Sequence, residues 1–330
     1  MFDDKIDFVI IWVDGNDKQW QNEKDKYSPK RNTDNRSIRY RDWDNLKYWF
    51  RGIEKFAPWV NKIHFVTYGH LPDWLNKNNP KLNIVKHTDY IPKEYLPTFS
   101  SHPIELNLHR IKGLSEQFVY FNDDMFIIDY VKKSDFFVNN LPCDMAAINA
   151  TVARDKLYNS VLYNNMLILN SRFKKNEIIR KNLSKWINLK YGKTLVRTLF
   201  GMPWSEFIGF YNKHMCNSFL KSTFEEVWEK EFEVLNETCM HKFRSKEDVN
   251  QFLFEYWQLM NGKFYPKKMN CCYFQALEQK QKLIKSIKKQ KYKFICINDS
   301  EYNNEDFELL KEELKNSFET ILPQKCSFEI

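Results

Sequence analysis

The segment Ile6-Asp7-Phe8-Val9-Ile10-Ile11-Trp12-Val13-Asp14-Gly15-Asn16-Asp17 decides the fold class of this chain. Residues 6–13 are nearly all apolar and rich in Ile and Val, which is typical of a strand buried on both faces. The polar residues that follow, with glycine among them, are typical of a tight turn. A buried strand ending in a polar turn predicts an α/β sheet whose carboxyl edge holds a ligand site.

The segments that follow repeat this pattern. Apolar residues at helical spacing between 46 and 56 precede predicted strands at 63–67 and 82–85, with a short helix at 72–76 between them. This β-α-β-α-β order predicts a Rossmann-like parallel sheet. Further strands are predicted at 118–121, 145–148, 166–169 and 294–297, and His64 and His87 are expected on strands.

We expect residues 1–330 to form a single catalytic domain. Within it, residues 172–292 are predicted to be a mainly helical insertion, with helices at 177–189, 218–231 and 246–260. Ser245 is the expected N-cap of the last of these helices, because Asp248 stands three residues after it. The core is then completed by 293–330, with the strand at 294–297 and a helix at 304–320.

Composition excludes several protein classes. With 43% hydrophobic and 28% charged residues, the chain is neither disordered nor a membrane protein, and no segment reaches the length of a membrane span. The net charge of +8 is spread along the sequence, so we expect no nucleic-acid partner. The seven cysteines show no CxxC spacing, and the N-terminal apolar run is too short for a signal peptide, which favours reduced thiols and a cytoplasmic location.

One segment is unusually basic. Seven lysines between Lys280 and Lys293 surround Leu283, Ile284 and Ile287 at roughly helical spacing. This pattern fits peripheral contact with an anionic membrane surface on the inner face of a bacterial membrane. It equally fits a solvated helix face with a small apolar stripe.

Three predicted strands end in acidic turns. Hard divalent cations such as Mg²⁺ prefer carboxylate oxygens and take further ligands from substrate phosphates, so these turns are candidates for a metal and nucleotide-diphosphate site. Acidic residues are also common turn formers, which leaves a purely structural role open. The residues concerned are Asp14 and Asp17, Asp123 and Asp124, and Asp299.

Other residues could supply acid–base chemistry and phosphate binding. Glu105 and His109 stand four apart in a helix predicted at 103–110, so the carboxylate could orient the imidazole, although a simple surface pair fits equally. His214 is a second imidazole, and Arg244 precedes a predicted helix start, where it could grip phosphate. No P-loop, GxGxxG or GxSxG motif occurs.

Four blocks of the chain together resemble the Stealth family. They comprise residues 6–17, then residues 39–42 through 122–124, then His214 through 243–248, and finally 295–299 to 323–329. The second block is the most specific, with Leu-Pro-Thr-Phe-Ser-Ser at 96–101 and Ile104-Glu105 through His109-Arg110. Stealth proteins include bacterial capsule and exopolysaccharide phosphotransferases and are similar to the catalytic part of N-acetylglucosamine-1-phosphotransferase.

The resemblance implies a type A glycosyltransferase-like core and transfer of a hexose 1-phosphate from a UDP-hexose donor to a hydroxyl of a glycan or lipid-linked oligosaccharide, releasing UMP. It places Glu105, Asp124, His214, Arg244 and Asp299 at the active site and Asp14 and Gly15 at the donor turn. His214 or His109 is the expected general base, Arg244 the phosphate clamp, and Glu105 a residue that orients base or substrate. The metal, Mg²⁺ or Mn²⁺, is expected on Asp123, Asp124 and Asp299, and substrate is expected on Arg41, Arg110, Asn122 and Asn298 as well.

Two other functions remain open from the sequence. A metal-dependent type A glycosyltransferase that uses Asp123-Asp124 would attack the anomeric carbon and release UDP instead of UMP. A binding module for glycan or lipid that keeps the fold would show no turnover. The released nucleotide separates the two enzymes.

Overall fold

The computed structural model describes residues 5–28, 43–152, 156–299 and 304–330. Arg41, an expected substrate-binding residue, lies outside these ranges. The strands are β1 (Ile6–Trp12), β2 (Ile63–Thr67), β3 (Leu82–Lys86), β4 (Gln117–Phe121), β5 (Met125–Ile127), β6 (Phe137–Val138), β7 (Leu141–Asp144), β8 (Asn217–Leu220), β9 (Tyr265–Pro266), β10 (Cys271–Gln275) and β11 (Phe294–Asn298).

The helices lie between and around these strands. They are α1 (Lys18–Tyr27), α2 (Leu46–Phe56), α3 (His87–Tyr90), α4 (Ser101–Leu106), α5 (Lys156–Arg172), α6 (Lys175–Lys181), α7 (Leu183–Trp186), α8 (Leu195–Gly201), α9 (Lys221–Lys230), α10 (Phe232–Met240), α11 (Phe252–Met260), α12 (Lys280–Lys288) and α13 (Asn304–Ile321). Within the described residues, no helix combines the length and apolar composition needed to cross a membrane.

The central sheet confirms the Rossmann-like α/β fold predicted from the first strand. Its order is β3-β2-β1-β4-β8, in which the first four strands are parallel and β8 is antiparallel to β4. In β1, Phe8 pairs with Ile63 of β2, and Ile6 pairs with Gln117 of β4. A smaller sheet, β10-β11-β5, and a third, β6-β7-β9, flank it.

The alternation of side chains along β1 divides the core into two layers. Phe8 and Ile10 pack with α2 in one cluster, whereas Val9 belongs to a second cluster with α9 and α11. Both faces of β1 are therefore covered, which explains its uninterrupted apolar sequence. The carboxyl ends of the parallel strands remain the uncovered edge of the sheet.

Several secondary-structure predictions were wrong, at positions where tertiary contacts determine the backbone conformation. Residues 166–169 lie in α5, because Met166 and Leu169 are buried on one helix face while Leu167 is exposed. Residues 72–76 form turns, and Leu75 makes a bridge with Glu329. The strand predicted at 145–148 lies earlier, as β7, and His87 begins α3 rather than ending a strand.

The predicted helices are shorter or broken. Residues 218–220 belong to β8, since the edge of β4 offers them backbone partners, and only α9 follows as a helix. The helix predicted at 246–260 begins at Phe252, and residues 177–189 are divided among α6, α7 and the start of a 3-10 helix. The predicted helix at 304–320 is confirmed as α13.

Residues 172–292 contain the helices α6 to α12 together with three strands. Of these strands, β8 extends the central sheet, and β10 pairs in parallel with β11. The segment therefore contributes to the sheets as well as to the helical layer.

The lysine-rich segment packs with its apolar side inward. Leu283 and Ile287 of α12 are fully buried in the core beside α13. Lys280 pairs with Glu313 at 2.9 Å, and Lys293 pairs with Asp135 at 2.6 Å. The buried stripe is consequently not available to lipid, and only the exposed lysines face outward.

The C-terminal residues are fixed to α2 by one arginine. Arg51, itself buried, donates from Nε and Nη2 to the two carboxylate oxygens of Glu329, at 2.7 and 2.8 Å, and from Nη1 to the carbonyl oxygen of Leu322 at 2.9 Å. This bidentate geometry is the strong form of an ion pair. It holds the C-terminal residues against α2, where Phe328 also packs on Phe50.

Candidate functional site

A cavity of about 1490 Å³ opens at the carboxyl edge of the sheets. Its floor is built from the residues that follow β1, β4 and β11, and its sides come from the segments around α4, residues 211–214 and residues 243–244. Eight of the thirteen predicted site residues line it: Glu105, Asn122, Asp123, Asp124, His214, Arg244, Asn298 and Asp299. The edge of the sheet thus gathers residues that are far apart in sequence.

Asp124 lies at the centre of this group, in the turn from β4 to β5. Its Oδ2 is 3.4 Å from Nε2 of His214 and accepts from Sγ of Cys296 at 3.3 Å. Its backbone carbonyl accepts from the N–H of Ile297 at 2.8 Å, which fixes the turn to β11. Its Oδ1 is buried and has no hydrogen-bond partner among the described residues.

His214 occupies a backbone conformation that few non-glycine residues adopt, with φ of 50°. The side chain of Asn212 stabilises it by accepting a 2.6 Å hydrogen bond from the His214 N–H. Burial lowers the pKa of the His214 imidazole, but the hydrogen bond and the charge of Asp124 outweigh burial and hold that pKa above the ordinary 6.5. A proton on this imidazole is therefore stabilised by Asp124.

Glu105 is a buried carboxylate at the C-terminal end of α4. Its Oε1 accepts a 3.0 Å hydrogen bond from the hydroxyl of Tyr120, which also contacts the side-chain amide of Asn122. Its Oε2 is buried and has no hydrogen-bond partner among the described residues. The cavity therefore contains two acceptor oxygens, one on Glu105 and one on Asp124, for which the described protein provides no donor.

Arg244 reaches the cavity from the segment between α10 and α11. Its Nη2 donates to Oγ of Ser101 at 2.9 Å, at the start of α4. The ring of the preceding Phe243 stacks on Phe99 at a centroid distance of 5.3 Å, and the Phe99 N–H donates to the carbonyl of Lys242 at 2.8 Å. These contacts fix the guanidinium beside the acidic groups.

Asp248 anchors the same segment from inside. This fully buried carboxylate accepts from Nδ1 of His102 and Nδ1 of His241, both at 2.7 Å, and from the N–H of Ser245 at 2.9 Å. Burial raises its pKa, but the hydrogen bonds from the two histidines outweigh that effect and keep the pKa below 3.8. The predicted link between Ser245 and Asp248 exists, but as part of a turn rather than a helix start.

Two predicted residues of the donor turn, Asp14 and Gly15, lie outside the cavity lining. Asp14 and Gly15 directly follow Val13, which does line it, and the Asp14 N–H donates to Nε2 of His70 at 2.7 Å. Asp299, within the lining, accepts from the indole N–H of Trp43 at 3.3 Å. The donor turn predicted at 14–15 is therefore adjacent in sequence to a residue of the cavity lining.

His109 and Arg110 are not brought to the site. α4 ends at Leu106, and a 3-10 helix follows, so Glu105 and His109 do not share one helix face. His109 is buried beside the rings of Phe224 and Trp228, and burial lowers its pKa to about 3. The structure thus corrects the expectation that His109 could be the base, because His109 is not among the residues that line the cavity.

Arg110 is exposed and lies over the indole of Trp228, with its Nε donating to Asn107 at 2.9 Å. It likewise does not line the cavity, which corrects its expected role in substrate binding.

Three residues of the site were missed by the sequence reasoning. Tyr120 and Cys296 are hidden in apolar strands, although Cys296 stands two residues before Asn298 and thus on the same strand face. His102 stands three residues before Glu105 in α4, a spacing that also puts two side chains near one helix face. These spacings were the available signals.

The donor set can be tested against a divalent cation. Asp124 offers the buried, unpartnered Oδ1, and Asp123 and Asp299 bring two further carboxylates to the same cavity. Oxygen ligands of this kind suit Mg²⁺ or Mn²⁺. The residues present therefore fit such an ion.

Fold and site together define an α/β enzyme with an acidic cavity at the sheet edge. Residues 4–31 match Stealth protein CR1, conserved region 1, and residues 39–144 match Stealth protein CR2, conserved region 2. The chain is 46% identical to a capsular polysaccharide phosphotransferase WcwK of Streptococcus pneumoniae, over 99% of this chain and 98% of that protein. It is 37% identical to the exopolysaccharide phosphotransferase cps2G of Lactiplantibacillus plantarum, over 98% and 96%.

The chain therefore belongs to the Stealth family. Among solved structures, the galactosyltransferase LgtC in complex with donor and acceptor sugar analogues aligns with a TM-score of 0.38 and 7% identity, covering 96% of each chain. At this distance the similarity adds nothing to the fold that the strand order already defines.

Proposed function

We propose that this protein is a polysaccharide phosphotransferase that moves a hexose 1-phosphate from a UDP-hexose to a hydroxyl of a glycan or lipid-linked oligosaccharide. The reaction forms a phosphodiester and releases UMP. The observation that carries the proposal is the convergence of Glu105, Asp124, His214, Arg244 and Asp299 on one cavity, in a chain that covers 98% of a capsular polysaccharide phosphotransferase. An imidazole, an arginine and several carboxylates are the groups that phosphoryl transfer requires.

His214 is the base in this proposal. Its Nε2, 3.4 Å from Asp124 Oδ2, would carry the N–H that faces this carboxylate, and Nδ1 would accept the proton of the acceptor hydroxyl as the oxygen attacks the phosphorus that carries the sugar. The Asp124 carboxylate stabilises the imidazolium that forms. The P–O bond to the uridine monophosphate group breaks, and UMP leaves.

Arg244 provides charge and geometry for the transferring phosphate. Its guanidinium is held by Ser101 at 2.9 Å, so the positive charge is already in place before substrate arrives. Asp124, with Asp123 and Asp299, would hold Mg²⁺ or Mn²⁺, which neutralises the diphosphate when bound. Glu105, fixed by Tyr120, would orient the acceptor through its unpartnered Oε2.

The turn at Asp14 and Gly15 would contact the donor nucleotide, because it continues directly from the cavity-lining Val13. Asn122 and Asn298 line the same cavity and are proposed as further substrate contacts. We place the protein in the cytoplasm, with peripheral contact to the inner face of the bacterial membrane through exposed lysines of α12, and without a nucleic-acid partner. The free thiols of all seven cysteines are compatible with that location.

The test is to identify the nucleotide that is released. Purified protein is incubated with Mg²⁺ and a panel of UDP-hexoses, with and without short glycan acceptors. We expect acceptor-dependent UMP that disappears with EDTA and falls by about 10²–10³-fold in Arg244→Ala. Arg180→Ala, which removes an exposed arginine outside the cavity lining, is the matched control and should keep its activity.

Two other results would contradict the proposal and identify a different function. Release of UDP would mean that the anomeric carbon is attacked and that the protein is a metal-dependent type A glycosyltransferase. Glycan binding without any released nucleotide, unchanged in Arg244→Ala and Asp124→Ala, would identify a binding module.

A further inference from the structure

Three metal-binding atoms of different chemistry meet at the site. They are Oδ2 of Asp124, Nε2 of His214 and Sγ of Cys296, and all lie within 4.8 Å of one another. Each comes from a different segment: the turn after β4, the segment before β8, and the middle of β11. The proposed transfer reaction makes no use of the thiol.

The spacing of these atoms matches a zinc site. Zn²⁺ binds thiolate sulfur at about 2.3 Å, imidazole nitrogen at about 2.0–2.1 Å and carboxylate oxygen at about 2.0–2.2 Å, so a tetrahedral ion sets neighbouring ligand atoms about 3.4–3.6 Å apart. The two distances from Asp124 Oδ2, 3.4 Å to His214 and 3.3 Å to Cys296, are close to these values. The third pair, His214 Nε2 and Cys296 Sγ, lies within 4.8 Å, so at most this one spacing must shorten appreciably for the ion to bind.

The donor types discriminate between metals. Mg²⁺ requires hard oxygen ligands, and neither a thiol nor an imidazole serves it well. Thiolate and imidazole ligands together favour Zn²⁺ and other borderline or soft ions. Asp124 could therefore bind Mg²⁺ together with the carboxylates of Asp123 and Asp299, or Zn²⁺ together with His214 and Cys296.

The site is also rigid and open on one side. Cys296 is fully buried in β11, and the Ile297 N–H to Asp124 carbonyl hydrogen bond of 2.8 Å holds the cysteine strand against the aspartate turn. Asn212 fixes the backbone of His214. Asp124 and His214 line the cavity, so water or a phosphate oxygen can occupy a fourth position.

We propose that Asp124, His214 and Cys296 bind Zn²⁺ as a three-ligand site and that zinc thereby inhibits the enzyme. On binding, the Cys296 thiol loses its proton to solvent and an S–Zn bond forms, while His214 binds as a neutral imidazole through Nε2. A neutral imidazole that binds zinc through Nε2 carries its proton on Nδ1, so neither ring nitrogen can accept the proton of the acceptor hydroxyl. The inhibition rests on the proposed function, but the binding does not.

Binding is tested with Co²⁺ as a spectroscopic substitute for Zn²⁺. We expect the metal-free protein to develop a sulfur-to-cobalt charge-transfer band in the near ultraviolet, which Zn²⁺ displaces. The band should be lost in Cys296→Ser and kept in Cys272→Ser, a matched control because Cys272 lines the same cavity without belonging to the cluster. No band in the wild type, or the same band in Cys296→Ser, would overturn the proposal.

Inhibition is tested separately at saturating Mg²⁺. For the wild type and for Cys296→Ser, the rate of UMP release with zinc is divided by the rate of the same protein without zinc. Since even second-shell losses cost about 10–100-fold in metal affinity, Cys296→Ser should raise the half-inhibitory Zn²⁺ concentration by more than tenfold. Equal inhibition of both proteins would show that zinc acts elsewhere.

A measurement on the unaltered protein covers the case in which Cys296→Ser fails to fold. Zn²⁺ titration by calorimetry in two buffers of different ionisation enthalpy should report about one released proton at pH 8, and no release would contradict thiolate binding. These binding measurements need no turnover. Failure to detect UMP would therefore refute the proposed function while the cobalt band still decides the zinc site.

Discussion

Asp248 and His102 form a buried hydrogen bond of 2.7 Å that joins the segment carrying Arg244 to the helix carrying Glu105. The other carboxylate oxygen of Asp248 accepts from His241, so one side chain fixes both ends of this connection. The two residues are 146 positions apart in the sequence, and no local sequence pattern predicts their contact. It places the proposed phosphate clamp relative to the proposed orienting carboxylate.

This relationship predicts a catalytic effect for Asp248, which does not line the cavity. Asp248→Asn should lower kcat by about 10–100-fold with a smaller change in KM, because Arg244 loses its fixed position rather than its charge. Steady-state kinetics on the UMP-releasing reaction would measure the two constants. Glu247→Gln is the control, since Glu247 is exposed and its loss leaves both histidine contacts intact. An unchanged kcat in Asp248→Asn would contradict the positioning role.

Tyr120 predicts a second effect of the same kind. Tyr120→Phe removes the hydroxyl that donates to Oε1 of Glu105, so we expect kcat to fall by about tenfold or more as the carboxylate loses its orientation. Tyr95→Phe is the matched control, because Tyr95 also donates a single hydrogen bond, to Asn236, and does not line the cavity. Similar losses in both variants would indicate a general effect of lost hydroxyls instead.

The sequence predicted the parts of the fold and site that depend on local patterns. The apolar run of β1, the strand before Asn122 and the strand before Asn298 each show their own periodicity, and the edge rule for parallel sheets then brings their polar ends together. His214 and Arg244 were candidates from residue type and from the position of Arg244 before a predicted helix, and the resemblance to Stealth proteins then assigned both to the active site.

The features of the fold and site that the sequence did not predict depend on contacts between distant segments. β8 was predicted as helix because its pairing with β4 is invisible in its own residues. His109 was kept as a candidate because the break after Leu106, which puts it in a different helix from Glu105, has no proline or glycine to mark it. Cys296 was overlooked because a cysteine between two isoleucines in an apolar strand is typical of a buried core residue.

The exposed lysines of α12 predict how any membrane contact must behave. Since Leu283 and Ile287 are buried, only charge can attract the helix to lipid, at about 1 kcal/mol for each lysine near an anionic surface. Flotation with anionic vesicles should therefore be weak and lost at high salt. It should also be lost when four of the exposed lysines in and directly after α12 are replaced by Glu: Lys285, Lys288, Lys289 and Lys291.

The control for this experiment changes the same charge on other exposed surfaces. It replaces by Glu four exposed lysines outside the basic segment: Lys77, Lys112, Lys181 and Lys193. Equal flotation of the α12 variant and the wild type would exclude membrane contact through this segment. Equal loss in both variants would show that only net charge matters.

Asp7 predicts how stability depends on pH. This fully buried carboxylate in β1 accepts from His64, Asn61 and the N–H of Ser115, and although burial raises its pKa, these hydrogen bonds outweigh burial and hold it below 3.8. A group whose pKa is lower in the folded state stabilises the protein above its unfolded pKa and loses that contribution as pH falls. The stabilisation by ionised Asp7 is thus complete at neutral pH and declines below about pH 4.

Asp7→Asn isolates this contribution, because other titrating groups affect both proteins alike. Asn cannot accept all of the hydrogen bonds, so we expect the free energy of unfolding in urea to fall by about 1–3 kcal/mol at pH 7. The difference between the wild type and the variant should narrow at pH 3.5, where the unfolded carboxyl is largely protonated and the ionised form no longer favours folding as strongly. A difference that stays constant from pH 7 to 3.5 would mean that Asp7 stabilises β1 through its shape and not through its charge.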